Sequence, residues 1–203
     1  MTAVLALDVG SSSVRAQRFD ERGEPADELK QAAYGGSDPE EIVQLVREVV
    51  AGRDEDADAV GASCFGHSLL ALDERGRPLT PLLGWRDTES AGAAAWLRRR
   101  VDPEAVHART GAPVHPSFWP AKLAWLAETQ PEVFRAAARF VSFADYLYAR
   151  LLGGEPESSL SLASGTGLLD LAGSCWDAEL LDVLGVEEER LPRLAGEPQQ
   201  ERW

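Results

Sequence analysis

The sequence predicts an α/β domain with a mixed sheet flanked by helices, and three observations predict it. The chain opens on short apolar runs separated by Gly and Asp turns, the first helical stripe appears only after three such runs, and helical spacing dominates the second half. Its 203 residues suffice for one large domain or two small ones, with 44% hydrophobic and 27% charged side chains. That composition belongs to a globular protein able to build its own core.

Val4-Leu5-Ala6-Leu7 reads as a strand buried on both faces. Gly10-Ser11-Ser12-Ser13 follows as a turn, Val14 to Phe19 alternates as a second strand, and Asp20-Glu21-Arg22-Gly23 makes a hairpin-type connection. A third strand is expected within Pro25 to Ala33. Ser37 or Asp38 caps a helix whose Pro39, Glu40 and Glu41 suit a first turn, and Ile42, Leu45, Val46, Val49 and Val50 form its apolar stripe. Ala59 to Cys64 and Leu69 to Leu72 are the next strands, the latter ending at the turn Asp73-Glu74-Arg75-Gly76. Helices are then expected over 90–100, 103–109, 121–128, 131–138 and 143–152. Ser158 to Leu171 begins as loop or short helix and ends as a short strand, and Asp177 to Leu184 is a last helix capped by Gly185. Leu191-Pro192 and the polar tail Glu197 to Trp203 read as an exit from the domain.

The charge balance, 20 basic against 34 acidic residues for a net −14, argues against nucleic acid or an anionic membrane as the main partner. Arg98-Arg99-Arg100 is the one basic run, and three consecutive helical positions point in different directions, so a solvated face is expected. Cys64 and Cys175 fit neither a disulfide framework nor a zinc site and are expected as buried free thiols, which favours a cytoplasmic compartment. The apolar start lacks a signal peptide's basic region, and no run approaches the length of a membrane span.

The most informative segment is Leu7-Asp8-Val9-Gly10-Ser11-Ser12-Ser13-Val14-Arg15. Glycine lets a backbone approach a phosphate closely, and the N–H groups of a tight turn form an anion nest. Asp8 would repel a bare phosphate, so its presence implies an intervening Mg²⁺, and Arg15 offers a fork of donors to phosphate oxygens. The residues alone leave a plain Gly-Ser hairpin turn equally open. A G-x-x-x-x-G-K-[ST] loop does not occur.

D-V-G-S-S-S-V-R resembles the first phosphate motif of the actin-like ATPase (ribonuclease H-like) fold, in the form used by the FGGY family of carbohydrate kinases. Gly61-Ala62-Ser63-Cys64-Phe65-Gly66-His67-Ser68-Leu69 resembles that family's strand and sugar-binding turn. Trp85-Arg86-Asp87, Lys122-Leu123-Ala124-Trp125-Leu126, Ala163 to Leu168 and Trp176 to Leu181 are similar to later family motifs in the same order. His67-Ser68, Pro78-Leu79-Thr80-Pro81 and Val114-His115-Pro116 lean toward the gluconokinase-like branch.

The resemblance implies an actin-like domain with a helical insertion over residues 1–203, ATP and Mg²⁺ as cofactors, and a sugar or sugar acid, gluconate- or xylulose-like, as phosphate acceptor. It assigns Asp8 to the metal and Gly10, Ser11, Ser12, Ser13 and Arg15 to the nucleotide phosphates. It assigns Gly66, His67, Trp85, Asp87 and Ser117 to the sugar side, with His115 read more readily as part of a rigid turn. His107, inside a predicted helix, is expected to be structural. Trp96, Trp125 and Trp176 are expected in the core, whereas Trp85 and Trp119, in predicted loops, are stacking candidates. Asp87 either orients the sugar loop or caps the helix near it.

Three departures from the family pattern bear on the substrate. Gly66 stands where a large side chain is usual, Glu89 stands where an Arg is usual and disfavours an acidic sugar, and Trp119 replaces a small residue and is expected to refill part of the pocket. Family members have two actin-like domains, with the general base in the second, so this chain is expected to be inactive alone and to need a C-terminal kinase domain in cis or in trans. The alternative is a non-catalytic sugar- or partner-binding module on the same fold. A homo-oligomer stays open.

Overall fold

The computed structural model describes residues 3–53, 55 and 57–195. Alternation builds the first sheet. In β1 (Val4–Val9), Leu5, Leu7 and Val9 are buried, which turns Asp8 to the other face. β1 pairs antiparallel with β2 (Ser13–Phe19), setting Asp8 opposite Arg15. β2 pairs antiparallel with β3 (Lys30–Ala33). On its other edge β1 runs parallel to β4 (Ala59–Cys64), setting Asp8 beside Ser63. The sheet order is therefore β3-β2-β1-β4, a mixed sheet as expected.

α1 (Pro39–Val50) supplies the covering layer. Asp38 accepts from the Glu40 N–H, Pro39 occupies the first turn, and Ile42, Val43, Val46 and Val49 are buried on the face toward β2 and β3. The apolar layer thus lies on the Leu5-Leu7-Val9 face, and the Asp8 face is left polar.

The chain divides into two units, residues 3–65 with 150–152 and residues 66–149 with 153–195. In the second, β5 (Leu70–Leu72) pairs antiparallel with β6 (Arg139–Val141). Between them lies the expected helical insertion: α2 (Ala91–Leu97), α3 (Pro103–Thr110), α4 (Trp119–Thr129) and α5 (Pro131–Ala136). α6 (Phe143–Leu152) begins with a capping box, Ser142 and Asp145 each bonding the other's backbone N–H. Then follow β7 (Glu157–Ser159), α7 (Leu160–Ser164), a hairpin of β8 (Leu169–Asp170) with β9 (Cys175–Trp176), and α8 (Ala178–Leu184). The core of this unit gathers Leu69, Leu83, Leu97, Trp119, Leu123, Phe140, Leu168 and Trp176.

Three expectations change. Leu191-Pro192 does not leave the domain: Leu191 is buried, Pro192 O accepts from Trp176 Nε1, and β10 (Arg193–Ala195) pairs parallel with β7. The tail 197–203 lies outside the described residues. Cys64 is half-buried and Cys175 exposed, because β4 presents most of its residues to solvent and β9 sits in a short surface hairpin. Trp119 is the first residue of α4 rather than a loop residue, and its ring is 1% exposed and stacked on Trp176 at 6.3 Å.

Candidate functional site

The phosphate-side candidates belong to the first unit. Register alone places Asp8, Arg15 and Ser63 on one face of three neighbouring strands. Arg15 Nη1 donates to Asp8 Oδ2 at 2.7 Å, and Ser63 Oγ donates to Asp8 Oδ1 at 3.0 Å. The two charged side chains are 44% and 48% exposed, so this ion pair contributes little to stability and its members are free to rearrange around a ligand.

The turn between β1 and β2 is closed by Gly10 N–H donating to Ser13 O at 2.9 Å, with Ser11 and Ser12 exposed at its tip. A Cβ at Gly10 would sit 3.3 Å from Ser13 O, which accounts for glycine there. Tyr34, just beyond β3, holds the turn from outside: its phenol donates to Gly10 O at 2.5 Å and its N–H to Ser12 O at 3.0 Å. Burial, with the charge of Cys64 adding to it, pushes the Tyr34 phenol up to about 12.

A divalent cation fits this corner in one way. Among the described residues no cluster of three or more acidic, His or Cys side chains could hold a bare metal ion. Asp8 is a lone, half-exposed carboxylate. Mg²⁺ keeps several of its waters and is commonly held by one or two carboxylates plus substrate phosphates, so a water-bridged ion at Asp8 suits the donor set.

The sugar-side candidates belong to the second unit. His67 has φ +57°, a left-handed conformation costly for a residue with a Cβ. Its Nδ1 lies 2.8 Å from Gly165 O, and its ring meets Phe118 edge-on at 4.7 Å. A carbonyl can only accept, so Nδ1 carries the proton and neutral His67 keeps Nε2 as an acceptor. Gly66 beside it is exposed, and a Cβ built there meets nothing within 4 Å.

Trp85, Asp87 and Ser117 occupy two neighbouring loops. Trp85 remains a stacking candidate: it is 46% exposed and carries the Arg86 guanidinium over its ring at 5.0 Å. Asp87 does not cap α2, whose cap position is Ser90; it accepts from Gly84 N–H at 2.5 Å and closes its own loop. Ser117 Oγ donates to Trp85 O at 3.2 Å, tying the loops together. His115 packs into its own turn through Nδ1 and the Ser117 N–H at 3.2 Å, as its rigid-turn reading expects. His107 lies exposed in the last turn of α3, and Arg98, Arg99 and Arg100 are exposed.

Trp119 offers no stacking surface and refills no pocket: its ring is in the core and its Nε1 donates to Ser68 O at 2.7 Å. The sequence reading missed Tyr34, Ser63 as partner of Asp8, and the Gly165 carbonyl that fixes the His67 tautomer. The first two follow once strand register is known. The last joins residues 98 apart, which no local pattern reveals.

Comparison with known proteins identifies the family and the fold. The FGGY family of carbohydrate kinases, N-terminal domain, matches residues 3–200. A gluconokinase of Bacillus subtilis is 29% identical over 94% of this chain and 40% of its own length. Among solved structures, a xylulose kinase from Lactobacillus acidophilus superposes with a TM-score of 0.88 at 27% identity, over 96% of this chain and 42% of that one. A gluconate kinase from the same species gives 0.87 at 28% identity, over 96% and 42%. The chain spans about two-fifths of the length of the curated relatives it matches. The fold is therefore the actin-like ATPase fold, and the chain belongs to the FGGY family of carbohydrate kinases through its N-terminal domain.

Proposed function

We propose that this chain is the sugar-binding, phosphate-facing part of an ATP-dependent carbohydrate kinase that transfers the γ-phosphate to a hydroxyl of a gluconate- or xylulose-like acceptor. The Asp8–Arg15–Ser63 cluster beside the Gly10–Ser13 turn carries the reading. It sets one exposed carboxylate, a guanidinium and a backbone turn at a strand end, the parts that position a metal-bound polyphosphate.

In that reading Ser63 orients the Asp8 carboxylate, Asp8 holds Mg²⁺ through water, and Arg15 leaves Asp8 to take phosphate oxygens. The bound cation supplies neutralisation of phosphate charge. His67 Nε2 accepts from a sugar hydroxyl, Trp85 offers an apolar face to the ring carbons, and Asp87 keeps the Trp85 loop closed. The deprotonating base belongs to the part of the kinase that this chain does not match. Loss of a general base costs about 10²–10⁴-fold, so the 203 residues alone are expected to turn over no sugar. Among the described residues no helix is long and apolar enough to cross a membrane; the cytoplasmic location belongs to this reading through the likeness to metabolic sugar kinases.

The test is complementation. The chain is co-expressed with the remaining domain of its own gene or of a gluconokinase, and ATP turnover is followed across a panel of gluconate, xylulose and glycerol. Sugar-dependent turnover is the expected result. Sugar binding that no added domain converts into turnover would make the chain a binding module instead.

A further inference from the structure

α4 contains a lysine that is 2% exposed and has no ion pair among the described residues, a rare state for an ammonium group. Burial lowers the Lys122 amine to about 8, with Asp87 pulling the other way. Such a group is tolerated only when its donors are used. Lys122 Nζ donates to His67 O and, at 3.2 Å, to Leu83 O.

Those two carbonyls belong to the two loops that carry the sugar-side candidates. One follows β4 and presents Gly66 and His67; the other precedes α2 and presents Trp85 and Asp87. The loops already meet through Leu69 and Leu83, which exchange backbone hydrogen bonds at 3.0 Å in both directions. Leu83 O therefore has a second partner, whereas Lys122 is the partner shown for His67 O. His67 is the strained residue, and an unfavourable backbone conformation persists only where its surroundings over-determine it.

We propose that Lys122 is the positioning residue of the sugar side: one buried amine that holds the His67 turn in its left-handed conformation and locks it to the Trp85–Asp87 loop. Its burial and its two engaged donors keep it from touching substrate, so it acts through His67. This rests on His67 meeting the sugar, but the placement of the imidazole by Lys122 is measurable with no sugar present.

The experiment compares wild type and Lys122→Met, which keeps the volume and removes the donors, by NMR of the His67 ring in the 203-residue chain. Wild-type His67 should show a single Nδ1–H tautomer with a ring-current shift from Phe118. The variant, folded by circular dichroism, should show mixed tautomers and lose that shift. With xylulose and gluconate as probes, its dissociation constant should rise about tenfold, the worth of one misplaced hydrogen bond. A folded Lys122→Met with an unchanged His67 tautomer overturns the proposal. If wild type binds neither probe, the sugar-side reading of His67 fails, while the tautomer comparison still decides what Lys122 does.

Should the variant fail to fold, ¹⁵N-lysine labelling of wild type decides, since the chain has only Lys30 and Lys122 to assign. Slowly exchanging Nζ protons on Lys122 that show contacts to His67 support the proposal. Protons exchanging as fast as those of Lys30 overturn it.

Discussion

The two candidate turns of this chain are held in place in different ways. The phosphate turn after β1 is held from outside by Tyr34 and carries its charges half-exposed on a polar sheet face. The sugar turn after β4 is held from beneath: Lys122 and Trp119 donate to the carbonyls of His67 and Ser68, and Gly165 fixes the imidazole. The first has an exposed ion pair that can be opened at little cost. The second is built to stay put, using buried polar groups whose loss leaves orphaned acceptors.

That contrast can be broken most severely at Asp8. Asp8→Ala in the complemented enzyme should cut Mg²⁺-dependent turnover by about 100-fold or more. Its melting temperature should hardly move, since an exposed pair contributes about 0–1 kcal/mol. A rate that survives, measured by coupled ATP assay, would remove Asp8 from the site.

The second unit contains a buried carboxyl, Asp145, that should make stability depend on pH. Burial pushes the Asp145 carboxyl up to about 6, against the bonds from Ser142 that favour its charged form. The folded chain then holds that proton more tightly than the unfolded chain. The contribution of Asp145 to stability is accordingly highest below the ordinary carboxylate value, falls by on the order of 3 kcal/mol as pH rises from about 4 to about 6, and is flat above. Asp145→Asn should abolish the slope in urea titrations at pH 4.5 and 6.5. A slope that persists assigns it elsewhere.

At His67, strain and chemistry separate. His67→Ala should be less stable than His67→Gly by about 1 kcal/mol, because only glycine is at ease at positive φ. Both should lose sugar affinity alike. Equal stability would mean that the left-handed turn is not retained in solution.

The smallest effect is expected at Tyr34. Tyr34→Phe removes the donor to Gly10 O and should cost about 1 kcal/mol or less. It should also remove a phenol titration near pH 12 from the wild-type absorbance profile.

Much of this fold was legible because its signals are local. An apolar run gave β1, although its burial alternates and only one face is buried rather than both. Alternation gave β2, Asp38-Pro39 gave the start of α1, and Gly185 marked the end of α8 in the left-handed conformation. The short strands β6, β7, β9 and β10 were missed because two or three residues carry no period, and the partners of β6, β7 and β10 lie more than thirty residues away in the chain. Trp119 was misplaced because Trp119-Pro120 looks like loop punctuation, whereas proline is also at home in a helix's first turn. The front motif marked the turn after β1 and the Asp8–Arg15 pair across it. For the sugar-side candidates, the family resemblance named the residues, but only tertiary structure names what holds them.

The open space over Gly66 has an evolutionary consequence. The residue is solvent-exposed, its φ lies outside the left-handed region, and a side chain added there meets no neighbour. It adjoins the His67 turn without belonging to the bonds that hold it. A single codon change can therefore add bulk beside the imidazole while leaving Lys122, Trp119 and Gly165 at their posts. Under the assignment of this turn proposed above, acceptor preference would be tunable at that one position without compensating changes in the core.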